Sequence, residues 1–140
     1  MERTLAIIKP DAVQRNLGGE ILARLEAAGF VIVGLKMVHL TKPEVERFYY
    51  VHRERPFFEA LTSYMASGPA IPVVLQRDNA IQTLRDIMGA TNPAQAAAGT
   101  LRKEFGLDVE KNSIHGSDAA ATAAWEVSFF FSHLEFRERA

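Results

Sequence analysis

The chain contains no cysteine. Disulfides, thiolate nucleophiles and cysteine-held metal centres are therefore excluded, which is compatible with a reducing compartment. Net charge is almost absent as well: 16 Lys+Arg against 17 Asp+Glu leave −1. A dedicated polynucleotide binder carries a basic excess, so no nucleic-acid partner is expected and any anion site must be local. Long hydrophobic runs are also missing. The TLAII stretch before Lys9 is too short for a signal-peptide core, and no later segment approaches the length of a membrane span. A soluble, cytoplasmic protein with no membrane partner is the expectation. The chain lacks a GxxxxGK[ST] loop, a GxGxxG turn and the kinase HRD set, so any phosphate it binds is held in another way.

What is present is enough for one domain. With 140 residues and 48% hydrophobic content, residues 1–140 are read as a single unit with a substantial core. Residues 4–9, TLAIIK, are short, apolar and stopped by Pro10, as a buried strand is. GGEILARLEAAGF has helical spacing at Ile21, Leu22 and Leu25, with Gly29 at its stop. FVIVGLKMVHL reads as a second strand, and Thr41, Pro43 and Glu44 as the start of a helix through Tyr49. Pro56 starts PFFEALTSYMAS, IPVVLQ is a third strand, and Asp78 caps a helix through Met88. GATNPAQAAAGTLRKEFG is a long connection with short helical turns, a length that is uncommon unless functional. SIHG is the last strand, and Ser117 or Asp118 caps a helix reaching Phe129–Phe131. The order predicts a ferredoxin-like βαββαβ α/β sandwich, an antiparallel four-stranded sheet covered by helices.

Several side chains in this frame suit phosphate chemistry. An oriented imidazole is a good nucleophile toward phosphorus near neutral pH, and His115 precedes Gly116, whose missing side chain would open the approach of an anion. Glu126 is the only acid between Asp118 and Phe131 and would orient the ring. Lys9 leaves the first strand at its end, on the face of Leu5 and Ile7. YYVHRERPFF mixes Tyr49, His52, Arg53 and Arg55 with two rings; Phe57 is free to meet a flat base, whereas Phe58 belongs to the core face. Arg85, Thr91 and Arg102 frame the long connection and would clamp a polyphosphate, with Asn112 placed for a sugar hydroxyl. Taken singly, each has an ordinary alternative: a satisfied structural histidine, a snorkelling lysine, packed rings, solubilising arginines.

Together the motifs identify a family. TLAIIKPDAV, FYYVHRERPFF, SGP, MGATNP, AGTLR and NSIHGSD with Glu126 downstream occur in order over nearly the whole chain, which closely resembles nucleoside diphosphate kinases. The resemblance implies ping-pong transfer of the terminal phosphoryl group of a nucleoside triphosphate, mainly ATP, through phosphorylated His115 to a nucleoside diphosphate, with broad base and sugar tolerance. It implies that Lys9, His52, Arg85, Thr91 and Arg102 bind phosphates, with Tyr49 beside them. Asn112 and Lys9 would meet the ribose 3′-hydroxyl, and Phe57, Leu61 and Val109 the base. Glu126 would bond the ring nitrogen opposite the attacking one, assisted by Ser117. Mg²⁺ would arrive on the nucleotide phosphates, with no protein metal cage. The family forms homo-oligomers, and a tetramer is favoured here over a hexamer. Gln76-Arg77-Asp78 and Ala119-Ala120-Ala121 depart from residues common in the family, which puts helix capping and subunit contacts in question at those points. A regulatory module that has lost turnover and a histidine phosphatase are the competing readings. Intact His115, Glu126 and Lys9 argue against the first, and the lack of Arg before His-Gly against the second.

Overall fold

The computed structural model describes residues 1–138; the last two residues of the expected domain lie outside them. Four strands, β1 (Glu2–Ile8), β2 (Val31–Leu35), β3 (Ile71–Arg77) and β4 (Ile114–Gly116), form one sheet in the order β2-β3-β1-β4 with every pairing antiparallel. This is the expected ferredoxin-like arrangement. β1 is central, and Thr4–Ile8 are buried on both faces, which is why TLAII reads as an unbroken apolar run rather than an alternating one.

Seven helices cover the sheet: α1 (Pro10–Gln14), α2 (Gly18–Ala27), α3 (Lys42–Phe48), α4 (Phe58–Met65), α5 (Ala80–Met88), α6 (Leu101–Phe105) and α7 (Ala120–Phe130), among the described residues. Strand alternation sorts the core into two layers. Ala6, Ile8, Val73, Leu75 and Ile114 pack under α2 and α5, through Ile21, Leu25, Leu84 and Met88. Leu5, Ile7, Val33 and Val74 pack on the other side with Val45 and Phe48 of α3, Met65 of α4 and Phe130 of α7.

Several boundaries differ from the sequence reading. β1 ends at Ile8, and Lys9 instead caps α1, with Pro10 at the first helical position. β2 stops at Leu35; beyond it only Val38 still bridges to Ala70. α4 begins at Phe58 and not at Pro56, which lies in the preceding turn. Asp78 is not the cap of α5. Asn79 takes that position with φ 54°, and Glu2 of β1 accepts the Ile81 N–H at 2.8 Å, so the cap comes from the neighbouring strand. α7 likewise starts after Ala119, where Thr122 Oγ1 accepts the Ala119 N–H at 3.0 Å and itself donates to Asp118 at 2.7 Å. Ser117 turns inward instead. Gln76 and Arg77, both departures from the family pattern, are held within the chain: Gln76 accepts from Arg3 at 2.8 Å, and Arg77 donates to Ala28 O.

Candidate active site

On β4, Ile114 and Gly116 face α5, so alternation turns His115 to the other side of the sheet, beside Ile7 of β1. Phe48 and Tyr49 meet its imidazole edge-on, with ring centroids 5.5 and 5.9 Å away. His115 Nε2 stands 2.8 Å from Glu126 Oε1, and Ser117 Oγ donates to the same oxygen at 2.8 Å. An ionised carboxylate only accepts, so Nε2 carries the ring proton and Nδ1 keeps its lone pair. Among the described residues no hydrogen bond is made to Nδ1.

Gly116 has a different role from the one its place beside His115 suggests. A Cβ there would stand 2.8 Å from the Met88 sulfur and 3.0 Å from Leu84 Cδ2. The missing side chain makes room for α5 on the face away from the imidazole, and does not open a path for an anion.

A cavity of about 330 Å³ lies in front of His115. It brings together Lys9, Tyr49, His52, Phe57, Leu61, Thr91, Arg102, Val109 and Asn112 from five stretches of chain, and adds Glu110 and Ile114. Arg85 does not line it. Arg85 sits exposed in the last turn of α5, near enough to Arg102 for its charge to act there. Arg53 covers the Tyr50 ring at 4.1 Å and Arg55 is exposed, both outside the cavity.

The cations are buried and fixed. Lys9 is 5% exposed, and its Nζ donates to Glu110 O at 2.6 Å and to Asn112 Oδ1 at 2.9 Å. Burial lowers its pKa from 10.5 to about 8, partly offset by the charge of Asp11. Arg102 donates to Gly89 O at 3.1 Å and Ile114 O at 2.8 Å, while its buried Nε has no protein partner. Burial, then the charge of Arg85, lowers its pKa to about 10. A buried donor left unmatched is costly. The Tyr49 hydroxyl is held well above its ordinary pKa, first by burial and then by the charge of Glu126, so it acts as a neutral donor.

Asn112 ties the cavity wall together. Its Nδ2 donates to Thr91 O at 2.9 Å and to Val109 O at 3.3 Å, joining the start of the long connection and the loop after α6 to Lys9. Gly89 opens that connection at φ 84°, close against Thr100, a conformation and a contact that a larger residue would resist. At the mouth, Phe57 is 48% exposed and its ring centroid lies 5.6 Å from that of His52. Phe57, Leu61 and the exposed Val109 form an apolar lip, whereas Phe58 packs inward as its spacing predicts.

Sequence reasoning passed over Glu110 and a hydrogen-bonded cluster near Lys9 that joins buried Asp11 and Ser113 to the half-buried Tyr64 and the exposed Arg15. A signal for Asp11 was available: proline and an acid directly after Lys9 are first-turn helix residues, so Lys-Pro-Asp announces α1.

Known proteins resemble this chain in sequence and in fold. Residues 2–136 match the family profile described as nucleoside diphosphate kinase. The nucleoside diphosphate kinase of Geobacter sulfurreducens is 61% identical over 135 residues, covering 96% of this chain and 98% of that protein. That of Nitratidesulfovibrio vulgaris is 60% identical, over 96% and 97%. Among solved structures, the Aquifex aeolicus nucleoside diphosphate kinase superposes with a TM-score of 0.96 at 45% identity, covering 97% of this chain and 99% of that one. The Halobacterium salinarum enzyme in complex with CDP gives 0.96 at 38% identity, covering 99% and 93%. With the profile spanning almost every residue, and both sequence and fold in agreement along the same length, this chain belongs to the nucleoside diphosphate kinase family.

Proposed function

We propose that the phosphoryl exchange between nucleoside tri- and diphosphates runs in this chain through His115 Nδ1. The observation that carries the reading is the 2.8 Å contact of Nε2 with Glu126, which leaves Nδ1 as the nitrogen with a lone pair on a ring that lines the cavity. In the first half-reaction that pair attacks the terminal phosphorus. An N–P bond forms as the bond from phosphorus to the β–γ bridging oxygen breaks, and the diphosphate leaves with the electron pair. Glu126 offsets the positive charge that the ring gains. A second diphosphate then attacks the phosphohistidine in reverse. Nothing more exotic is needed, because phosphoryl transfer depends chiefly on alignment and charge stabilisation.

Lys9, His52, Thr91 and Arg102 bind the phosphates from within the cavity, and Arg85 joins them from its rim. Tyr49 donates near His115. Lys9 and the free lone pair of Asn112 Oδ1 meet the sugar 3′-hydroxyl. Phe57, Leu61 and Val109 hold the base by its faces and read none of its edges, which is why base identity matters little.

The donor set fits Mg²⁺ carried by the nucleotide. Lys9 and Arg102 would face part of the phosphate shell, and the ion would be held through other phosphate oxygens and water. When bound, Mg²⁺ neutralises charge on the phosphate oxygens. A homo-oligomer, tetramer before hexamer, and a cytoplasmic location complete the reading. β2 is an edge strand, and Leu35 and Met37 are 50% and 61% exposed there, an apolar edge that a second copy would cover.

Incubation with radiolabelled ATP tests the reading. The expected product is an acid-labile, base-stable phosphoprotein that discharges on addition of GDP or a deoxynucleoside diphosphate, with no label on His115→Ala. Hydrolysis without transfer would contradict it.

A further inference from the structure

Asn112 and His115, whose relative placement the proposed chemistry needs, are joined by a strained turn. Ser113 is fully buried with φ 77°, in the left-handed region that a serine seldom occupies. The Ile114 N–H donates to Asn112 O at 3.0 Å and closes a three-residue turn around it, a γ-turn of the rarer, positive-φ form. Such a backbone persists only where its surroundings hold it.

Here the side chain supplies the hold. Ser113 Oγ donates to Asp11 Oδ2 at 3.2 Å and accepts from Arg15 Nη2 at 3.3 Å, while Ser113 O accepts the Lys9 N–H at 2.9 Å. Asp11, 5% exposed, is itself fixed: the Tyr64 hydroxyl donates to its Oδ1, Arg15 donates to its Oδ2 at 3.0 Å, and its own N–H donates to the Tyr64 oxygen at 2.9 Å. Arg15 also reaches Phe105 O at 2.6 Å, tying the cluster to the end of α6. None of these four side chains other than by contact with its neighbours reaches the nucleotide cavity, whose wall is made by other residues.

We propose that Ser113, anchored by Asp11, Arg15 and Tyr64, is a positioning residue whose hydroxyl holds the turn that sets the separation between the Lys9–Asn112 pair and the His115 imidazole. It acts on the transfer step and not on nucleotide affinity, since sub-ångström displacement of reacting groups slows transfer while the binding contacts persist. The proposal rests on the reading of His115 as the nucleophile.

Single-turnover labelling by ATP, with ADP dissociation constants measured in parallel on the full chain, tests it. Ser113→Ala and Ser113→Gly are both expected to slow His115 phosphorylation about tenfold with the ADP constant unchanged within about twofold. Tyr64→Phe, which removes one donor from Asp11, is expected to give a smaller loss in the same direction. Glycine accepts positive φ without strain, so a Ser113→Gly chain labelled at the wild-type rate would show that only the backbone matters and would overturn the role of the hydroxyl. A loss confined to melting temperature or to ADP affinity would overturn it too. If the wild-type chain itself gave no phosphohistidine, the nucleophile reading would fail first and take this proposal with it.

Discussion

A lysine ammonium that is 5% exposed, with two neutral oxygens as its hydrogen-bond partners, is poorly compensated, and this brings Lys9 from 10.5 to about 8. The unfolded chain keeps that proton up to the higher value and the folded chain loses it at the lower one. Between about pH 8 and 10.5 the unfolded state therefore binds more protons, and stability gains from Lys9 as pH rises through this window. Below about 8 the burial penalty is present in full. Nucleotide binding has the opposite sign, because phosphates favour the charged ammonium. ADP affinity is expected to fall above about pH 8, and Lys9→Arg, which stays charged, to remove that bend. Calorimetric titrations across this range check it, and a wild-type curve without the bend would contradict it. Glu126→Gln keeps an oxygen that can accept from Nε2 but loses the charge. Phosphorylation of His115 in a quench-flow assay is expected to slow by about 10–100-fold, with the fold retained. Unchanged kinetics would remove Glu126 from the site.

At the scale of elements, the site depends on how closely α5 approaches β4. Gly116→Ala pushes a methyl group to 2.8 Å from Met88 and is expected to destabilise the fold by about 1–3 kcal/mol in urea denaturation. Paired with Met88→Ala, which vacates the space, the two losses are expected to sum to less than their separate values. Full additivity would place the strain elsewhere. The mouth of the cavity joins Phe57, the residue before α4, to Val109 in the loop after α6. Phe57→Ala is expected to raise KM for adenine, guanine and cytosine nucleotides alike, by about tenfold. Strong selectivity toward one base in steady-state assays would contradict the stacking argument.

At the scale of the whole molecule, the sheet leaves β2 as an open edge next to the C-terminal segment, where Arg137 N donates to Val33 O at 2.8 Å and Lys36 pairs with Glu135 at 3.1 Å. Exposed Leu35 and Met37 on that side are covered if copies associate. Light scattering is expected to give a mass close to four times 15.5 kDa, and a monomer would remove the oligomer from the reading. Three stretches in particular resisted the sequence. α1 was absent from the reading because five residues carry too little periodicity to register, although proline and aspartate mark its first turn. The caps of α5 and α7 were assigned to Asp78 and to Ser117 or Asp118, whereas Glu2 from a distant strand and Thr122 from within the helix take part instead.

The sequence by itself determined the order of the four strands and the five longer helices, the burial of TLAII, and the residues on which family membership rests, because these depend on local patterns and on motifs that survive in one dimension. Only the tertiary structure decided which nitrogen of His115 is tied to Glu126, that Gly116 serves packing behind the sheet, that Arg85 stays out of the cavity lining, and that Asp11, Arg15, Tyr64 and Ser113 form one hydrogen-bonded cluster. Those outcomes come from side chains up to 102 positions apart meeting at distances of a few ångströms. Hydrogen bonds and close packing are decided there by direction and separation in space, which spacing along the chain does not encode.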